Sequence, residues 1–282
     1  MSEHHPLSSV TRTASGSSRL PALFVSHGAP LFALEPGETG PALTQLGQRL
    51  RAEHPVRGVV VMSPHWMAHG VQVMTAVQPA TWHDFGGFPR PLYALQYPAA
   101  GDPALAQRVL DLFQTAGVAA QGDAKRPFDH GAWVPLMHLF PQADVPVVQV
   151  ALPAEAGPAE VLALGQALAP LRDEGILVLG SGSMTHNLSE FFGGAREPAP
   201  YVLAFSRWIE DALSRGDVPA LLDYRRRAPG AERAHPSEDH FLPLFFALGA
   251  AGPQGRPDYV SREVMYGILA MDAMTLQESA HV

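Results

Sequence analysis

The chain contains no cysteine. Disulfides, thiolate nucleophiles and cysteine-ligated zinc or iron–sulfur sites are therefore excluded. Charge is scarce as well. Asp, Glu, Lys and Arg make up 16% of the residues, and 27 acidic side chains outnumber 19 basic ones for a net charge of -8. No basic patch stands out, so nucleic acid is not expected as a partner. No run approaches the roughly 18 uninterrupted apolar residues of a membrane-spanning helix. Residues 1–19 are polar and lack the apolar core of a secretory signal. They read as a flexible tail, and nothing places the protein outside the cytoplasm.

Several common chemical motifs are also missing. The stretch "GSGSMTH" breaks the G-x-G-x-x-G spacing at its third position and lacks the lysine of a phosphate-binding loop. It is not a G-x-S-x-G nucleophile elbow either. In "HPSEDH" the histidines are five residues apart, which is not the H-E-x-x-H zinc-protease spacing.

What is present is a globular pattern, with 46% hydrophobic residues in 282. Short apolar runs read as strands over 22–26, 58–63, 71–77, 145–152 and 176–183. Apolar residues three to four apart predict helices over 40–54, 102–117, 157–175, 200–216 and 238–251, the third interrupted near Pro170. Asp102 followed by Pro103 marks one helix start clearly. No linker or repeat divides the chain, so residues 20–282 read as one domain. Strands spaced by helices imply an α/β fold, with a central, mostly parallel sheet flanked by helices. The segment 78–135 is rich in Gly, Pro and aromatics and reads as irregular but ordered.

Histidine is the unusual residue, with 13 copies. Three of them follow strands: His27 in "LFVSHG", His65 in "VVVMSPHW" and His186 in "LVLGSGSMTHN". In open parallel sheets, ligands bind beyond the carboxyl ends of the strands, so these three can converge there. Pro64 reads as the terminator of its strand. His130 in "FDHGAW" and His235 in "AHPSEDHF" lie in expected loops. A lone histidine is more often packed than chemical; the repeated strand-to-histidine arrangement favours function for His27, His65 and His186. Neutral imidazoles on rigid strand ends would suit Zn, Fe, Cu or Ni. A zinc-dependent hydrolase and a metal-binding protein without catalysis remain rival readings.

The stretches "FVSHGAP", "SPHW", "HDFGGFPRPLYALQYPAAG", "DHGAWVPLMHLFPQADVPVVQV", "LGSGSMTHNL" and "HPSEDHFLPLFFALGAA" resemble, in order, the class III extradiol ring-cleaving dioxygenases. The resemblance covers roughly residues 20–275 and is strongest to the LigB-like branch called 4,5-DOPA dioxygenase extradiol. It implies a non-haem Fe(II), with Zn(II) as another metal such proteins hold, and a catechol and O2 as substrates. It implies His27, His65 and His235 as metal ligands. His186 would be the acid/base or a fourth ligand, and His130 would contact the catechol hydroxyl or oxygen. A glutamate is the third ligand in the protocatechuate-cleaving branch; the resemblance puts His235 at that place here. Glu238 and Asp239 read instead as first-turn helix residues. Trp82, Phe85, Phe88 and Tyr93 would wall the pocket with aromatic surface, the other reading being a core-packing loop.

Overall fold

In the computed structural model, residues 19–193 and 197–278 are described. The expected tail, apart from Arg19, lies outside the described residues. Ten strands and nine helices are found among them: β1 (Ala22–Ser26), α1 (Thr39–Glu53), β2 (Gly58–Ala68), β3 (Val71–Met74), α2 (Pro103–Thr115), β4 (Ala120–Asp123), α3 (His130–Leu139), β5 (Val147–Pro153), α4 (Pro158–Leu168) and β6 (Ile176–Gly182). There follow α5 (Pro200–Arg215), the short helices α6 (Val218–Leu222), α7 (Tyr224–Arg227) and α8 (Ala231–Ala234), then α9 (Pro243–Ala251), β7 (Gly255–Ser261), β8 (Val264–Met265), β9 (Leu269–Ala270) and β10 (Ala273–Glu278). No helix among the described residues is long and apolar enough to cross a membrane.

Eight strands form one sheet in the order β4-β3-β5-β2-β6-β1-β10-β7. Its centre, β5-β2-β6-β1, is parallel. The pairs β3–β5, β1–β10 and β10–β7 are antiparallel. The α/β expectation therefore holds, with antiparallel additions toward the edges. The valines of "GVVVMS" show why the centre is parallel. Val59 and Val61 pack with Leu43, Leu46, Trp133 and Leu136 from α1 and α3, while Val60 and Met62 pack with Leu164, Phe205 and Phe245 from α4, α5 and α9. A strand covered on both faces needs apolar residues at every position, which is what this run supplies.

Three local readings change. Pro64 does not end its strand. Ser63 pairs with Ala151, and the next pair is Met67 with Leu152. Pro64, His65 and Trp66 are thus extra residues bulged out of β2. Proline suits such a place because it has no N–H to give the ladder. Next, the end of the irregular middle segment is helical: His130 opens α3 rather than lying in a loop. Finally, α9 begins at Pro243, so residues 238–242 form turns instead of a first helical turn. The C-terminal strands β7 and β10 carried no clear period-two signal, since β7 is an edge strand with mixed burial.

Helices α4 and α9 are pressed together on glycine. A Cβ at Gly165 would meet the carbonyl of Phe246, and one at Gly249 would meet the carbonyl of Leu162. Neither obstacle is a side chain that could swing aside. Gly249→Val is therefore expected to lower the unfolding free energy by about 3 kcal/mol, measured by urea denaturation. A loss under about 0.5 kcal/mol would show that the two helices separate freely.

Candidate active site

The site is assembled at the carboxyl edge of the parallel strands, from the carboxylate of Asp129 outward. Asp129 is fully buried. Its Oδ1 accepts from the Ser63 hydroxyl at 2.8 Å and from the Ala132 N–H at 3.2 Å, capping α3. Its Oδ2 accepts from Arg126 at 2.6 Å and from the Gln149 side chain on β5. Ser63 Oγ in turn accepts the His65 N–H at 3.2 Å, and Arg126 donates to the His65 carbonyl at 3.1 Å. The β2 bulge is thereby held on both sides of His65. Arg126 lies between Trp66 and Trp82, 4.8 and 5.0 Å from their ring centroids, where stacking limits its rotamers.

Three imidazoles meet here. His27 follows β1, and its N–H donates to the Gly182 carbonyl at 2.9 Å. His240 lies in the turn before α9, and its carbonyl accepts from the Ser183 N–H at 2.7 Å. The Nε2 of His65 is 3.1 Å from that of His27 and 3.3 Å from that of His240. Backing groups fix two of the tautomers. His27 Nδ1 donates to Ser181 Oγ at 3.0 Å, and His240 Nδ1 donates to Asp239 at 2.6 Å. Their Nε2 lone pairs therefore face inward. Pro135 has a part in this. It removes the helical N–H that would bond the Gly131 carbonyl. That freed carbonyl accepts from Ser181 Oγ, which in turn receives His27 Nδ1. Gly131 is needed beside it, because a Cβ there would run into Ser63 and His65.

This donor set fits a metal ion. Nitrogens bound at about 2.0–2.1 Å to one ion in tetrahedral geometry stand about 3.3–3.4 Å apart. A proton on His65 could satisfy only one of its two neighbours, whereas a cation satisfies all three. Burial first, and neighbouring imidazoles second, hold the pKa values of His27 and His65 below the ordinary histidine value, that of His65 at about 4. Burial also lowers that of His240, although Asp239 opposes the shift. Neutral imidazole is the form that binds metal.

Two further histidines flank the cluster. His130 Nδ1 and its backbone N–H both donate to Asp84 Oδ1, each at 2.9 Å. The His130 ring centroid is 3.9 Å from that of His65. His186 stacks on His240 with centroids 3.5 Å apart and planes 5° from parallel. Burial lowers its pKa to about 4. Both line a cavity of about 340 Å³ with His65, His240, Phe85, Phe88, Leu188 and Phe191. That volume is within the range of small-molecule sites.

The expected third ligand, His235, is not brought to this cluster. Its Nε2 donates to the Met184 carbonyl at 2.8 Å, and its ring is buried against Phe205 and Phe241, with centroids 5.4 and 4.9 Å away. His240 stands in its place. The sequence offered two histidines in one motif; the choice depends on where α9 starts. Pro243 sets that start, and glycine at 182 lets the His240 carbonyl approach the end of β6. Glu238 is not in the cluster either: it accepts from the Tyr224 hydroxyl at 2.8 Å. Asp239 backs His240 instead of joining the cluster. Of the four aromatics, Phe85 and Phe88 line the cavity, while Trp82 and Tyr93 do not. Trp82 packs on Arg126, and Tyr93 sits behind Phe85 at 5.4 Å. Asp84 and Asp129 carry no signal in the sequence, because single aspartates beside histidines are common in loops.

A family model described as the catalytic LigB subunit of aromatic ring-opening dioxygenase matches residues 21–272. The chain belongs to this family. A protein from Beta vulgaris called 4,5-DOPA dioxygenase extradiol is 37% identical over 248 residues, covering 88% of this chain and 92% of that one. A protein of the same name from Escherichia coli (strain K12) is 38% identical over 238 residues, covering 83% and 86%. The crystal structure of an uncharacterized Escherichia coli K12 protein has a TM-score of 0.74 at 30% identity, covering 91% of this chain and 99% of its own. The segment matched to the LigB family contains all five histidines of the site.

The buried imidazoles also set a pH dependence. In the metal-free LigB chain, His65 and His186 remain neutral when folded down to about 4, against 6.5 for the ordinary group. Between those values the unfolded state binds more protons, so stability falls as pH drops through the window. The urea midpoint of metal-free protein is expected to be lower at about pH 5 than at about pH 7.5. Equal midpoints would mean that these rings are protonated in the folded chain.

Proposed function

We propose that this extradiol ring-cleaving dioxygenase opens a catechol-type ring with O2 to a muconic semialdehyde. We further propose that His27, His65 and His240 hold its metal, Fe(II) in the active form, with Zn(II) able to occupy the same nitrogens. The observation that carries the reading is the meeting of three Nε2 atoms, two of them on rings, His65 and His240, that line an aromatic-walled cavity. Membership of a ring-opening family supports it, as do the printed names of the similar Beta vulgaris and Escherichia coli proteins. The metal, when bound, supplies Lewis acidity and the redox chemistry that O2 requires.

The protein's own groups do the rest. Phe85 and Phe88 offer flat apolar surface to an aromatic ring, which also keeps water from it. His130 presents Nε2, because Nδ1 is committed to Asp84. It is placed to take the proton of a catechol hydroxyl. His186, stacked on a ligand ring, is neutral at physiological pH through burial and can take or return a second proton. Hydrolysis is the weaker reading, since no carboxylate is among the described residues lining the cavity to serve as its base.

Protein loaded anaerobically with Fe(II) is expected to consume O2 and form a yellow product from a catechol panel that includes DOPA and protocatechuate. A panel left intact would remove the reading. The ligand assignment is tested separately by metal analysis. His27→Ala, His65→Ala and His240→Ala should each lower bound metal about 10-fold or more. His235→Asn should keep its metal while losing stability; loss of metal in that variant would favour His235 as the third ligand.

A further inference from the structure

We propose that Asp84 is a positioning residue for His130: its carboxylate fixes the Nδ1–H tautomer and leaves Nε2 facing the cavity as the proton acceptor. The inference rests on the reading that His130 moves the catechol proton.

The geometry carries it. One oxygen of Asp84 accepts both the backbone N–H and the Nδ1–H of His130, each at 2.9 Å. Two bonds from one residue to one atom leave the imidazole a single ring orientation. The other oxygen lies 3.8 Å from His65 Nδ1, so the same carboxylate also faces the metal cluster. The Asp84 and His130 side chains are 9% and 6% exposed, which leaves little water to compete. Burial pushes the Asp84 carboxyl upward, but its hydrogen bonds from His130 outweigh that and hold it below the ordinary range. A carboxylate is an acceptor only, and so dictates which nitrogen carries the proton.

Helix capping accounts for the backbone bond to Asp84 but not for the Nδ1–H bond, and Asp129 already caps α3 at the Ala132 N–H. The position of Asp84 in the chain adds a second point. The next residue, Phe85, lines the cavity and meets the His130 ring edge-on at 5.5 Å. Asp84 therefore latches the segment that carries the aromatic wall onto the group that would move the proton. Ring placement and proton acceptor are registered by one side chain.

The tautomer can be read directly. In 15N-histidine-labelled protein holding diamagnetic Zn(II), the long-range 1H–15N patterns of rings protonated at Nδ1 only should comprise those of His27 and His240 and a further one, assigned to His130 by its loss in His130→Gln. In Asp84→Ala that pattern should give way to Nε2 protonation or exchange between both forms. With Fe(II), Asp84→Ala and the isosteric Asp84→Asn should lower kcat about 10- to 100-fold, with catechol KM within about threefold and metal content unchanged. On the His130→Gln background, either change should cost less than about twofold more, since the two residues act as one unit. An unchanged His130 tautomer in Asp84→Ala would overturn the proposal, as would an equal penalty on both backgrounds. Absence of catechol turnover by the unaltered protein would instead remove the functional reading and leave the tautomer result standing.

Discussion

The buried carboxylate of Asp129 is the constraint on which the site depends. It accepts from a serine of β2, an arginine, a glutamine of β5 and the first turn of α3. Removing one partner of such a buried charge network typically costs about 3–5 kcal/mol, because the others are left unpaired. The network is therefore a reason for the β2 bulge to adopt one shape. It joins three separate chain segments within a few ångströms of His65. His130 and Gly131 follow Asp129 directly in the chain, so the same anchor places them too.

A second layer of order comes from backing groups. Neutral histidines can each choose between two tautomers, and a cluster of them would otherwise be ill-defined. Ser181 chooses for His27, Asp239 for His240 and Asp84 for His130. The proline inside α3 contributes by leaving a carbonyl free for Ser181. A residue that weakens a helix thus orients a ring just past the end of β1. The inward lone pairs that result are costly to gather without a cation and well suited to one.

Much of the architecture was legible along the chain. Continuous valine runs marked strands buried on both faces, and Asp102-Pro103 marked a helix start that the structure retains. The strand-to-histidine repeats pointed to the sheet edge where His27 and His65 do meet. The six motifs pointed to the family. What failed was local. Pro64 was read as a stop, but a bulge needs the same missing N–H as a strand end. The Gly and Pro of "HGAWVP" weigh against helix at His130; the local Asp129 cap and the tertiary bond from the His130 N–H to Asp84 outweigh them. For the aromatic segment both readings hold in part: Phe85 and Phe88 line the cavity, while Trp82 and Tyr93 pack behind it.

The sequence by itself determined the layered α/β order, the edge at which chemistry would gather and the residue type that would carry it. These follow from period, burial and motif order, all of which are local in the chain. Only the tertiary structure decided between His235 and His240, five residues apart in one motif. That choice turns on the start of α9, on a glycine that lets its leading turn touch β6, and on the carbonyl of Met184 that claims the His235 ring. Such close approaches join residues far apart in sequence, and no local pattern encodes the distance between them.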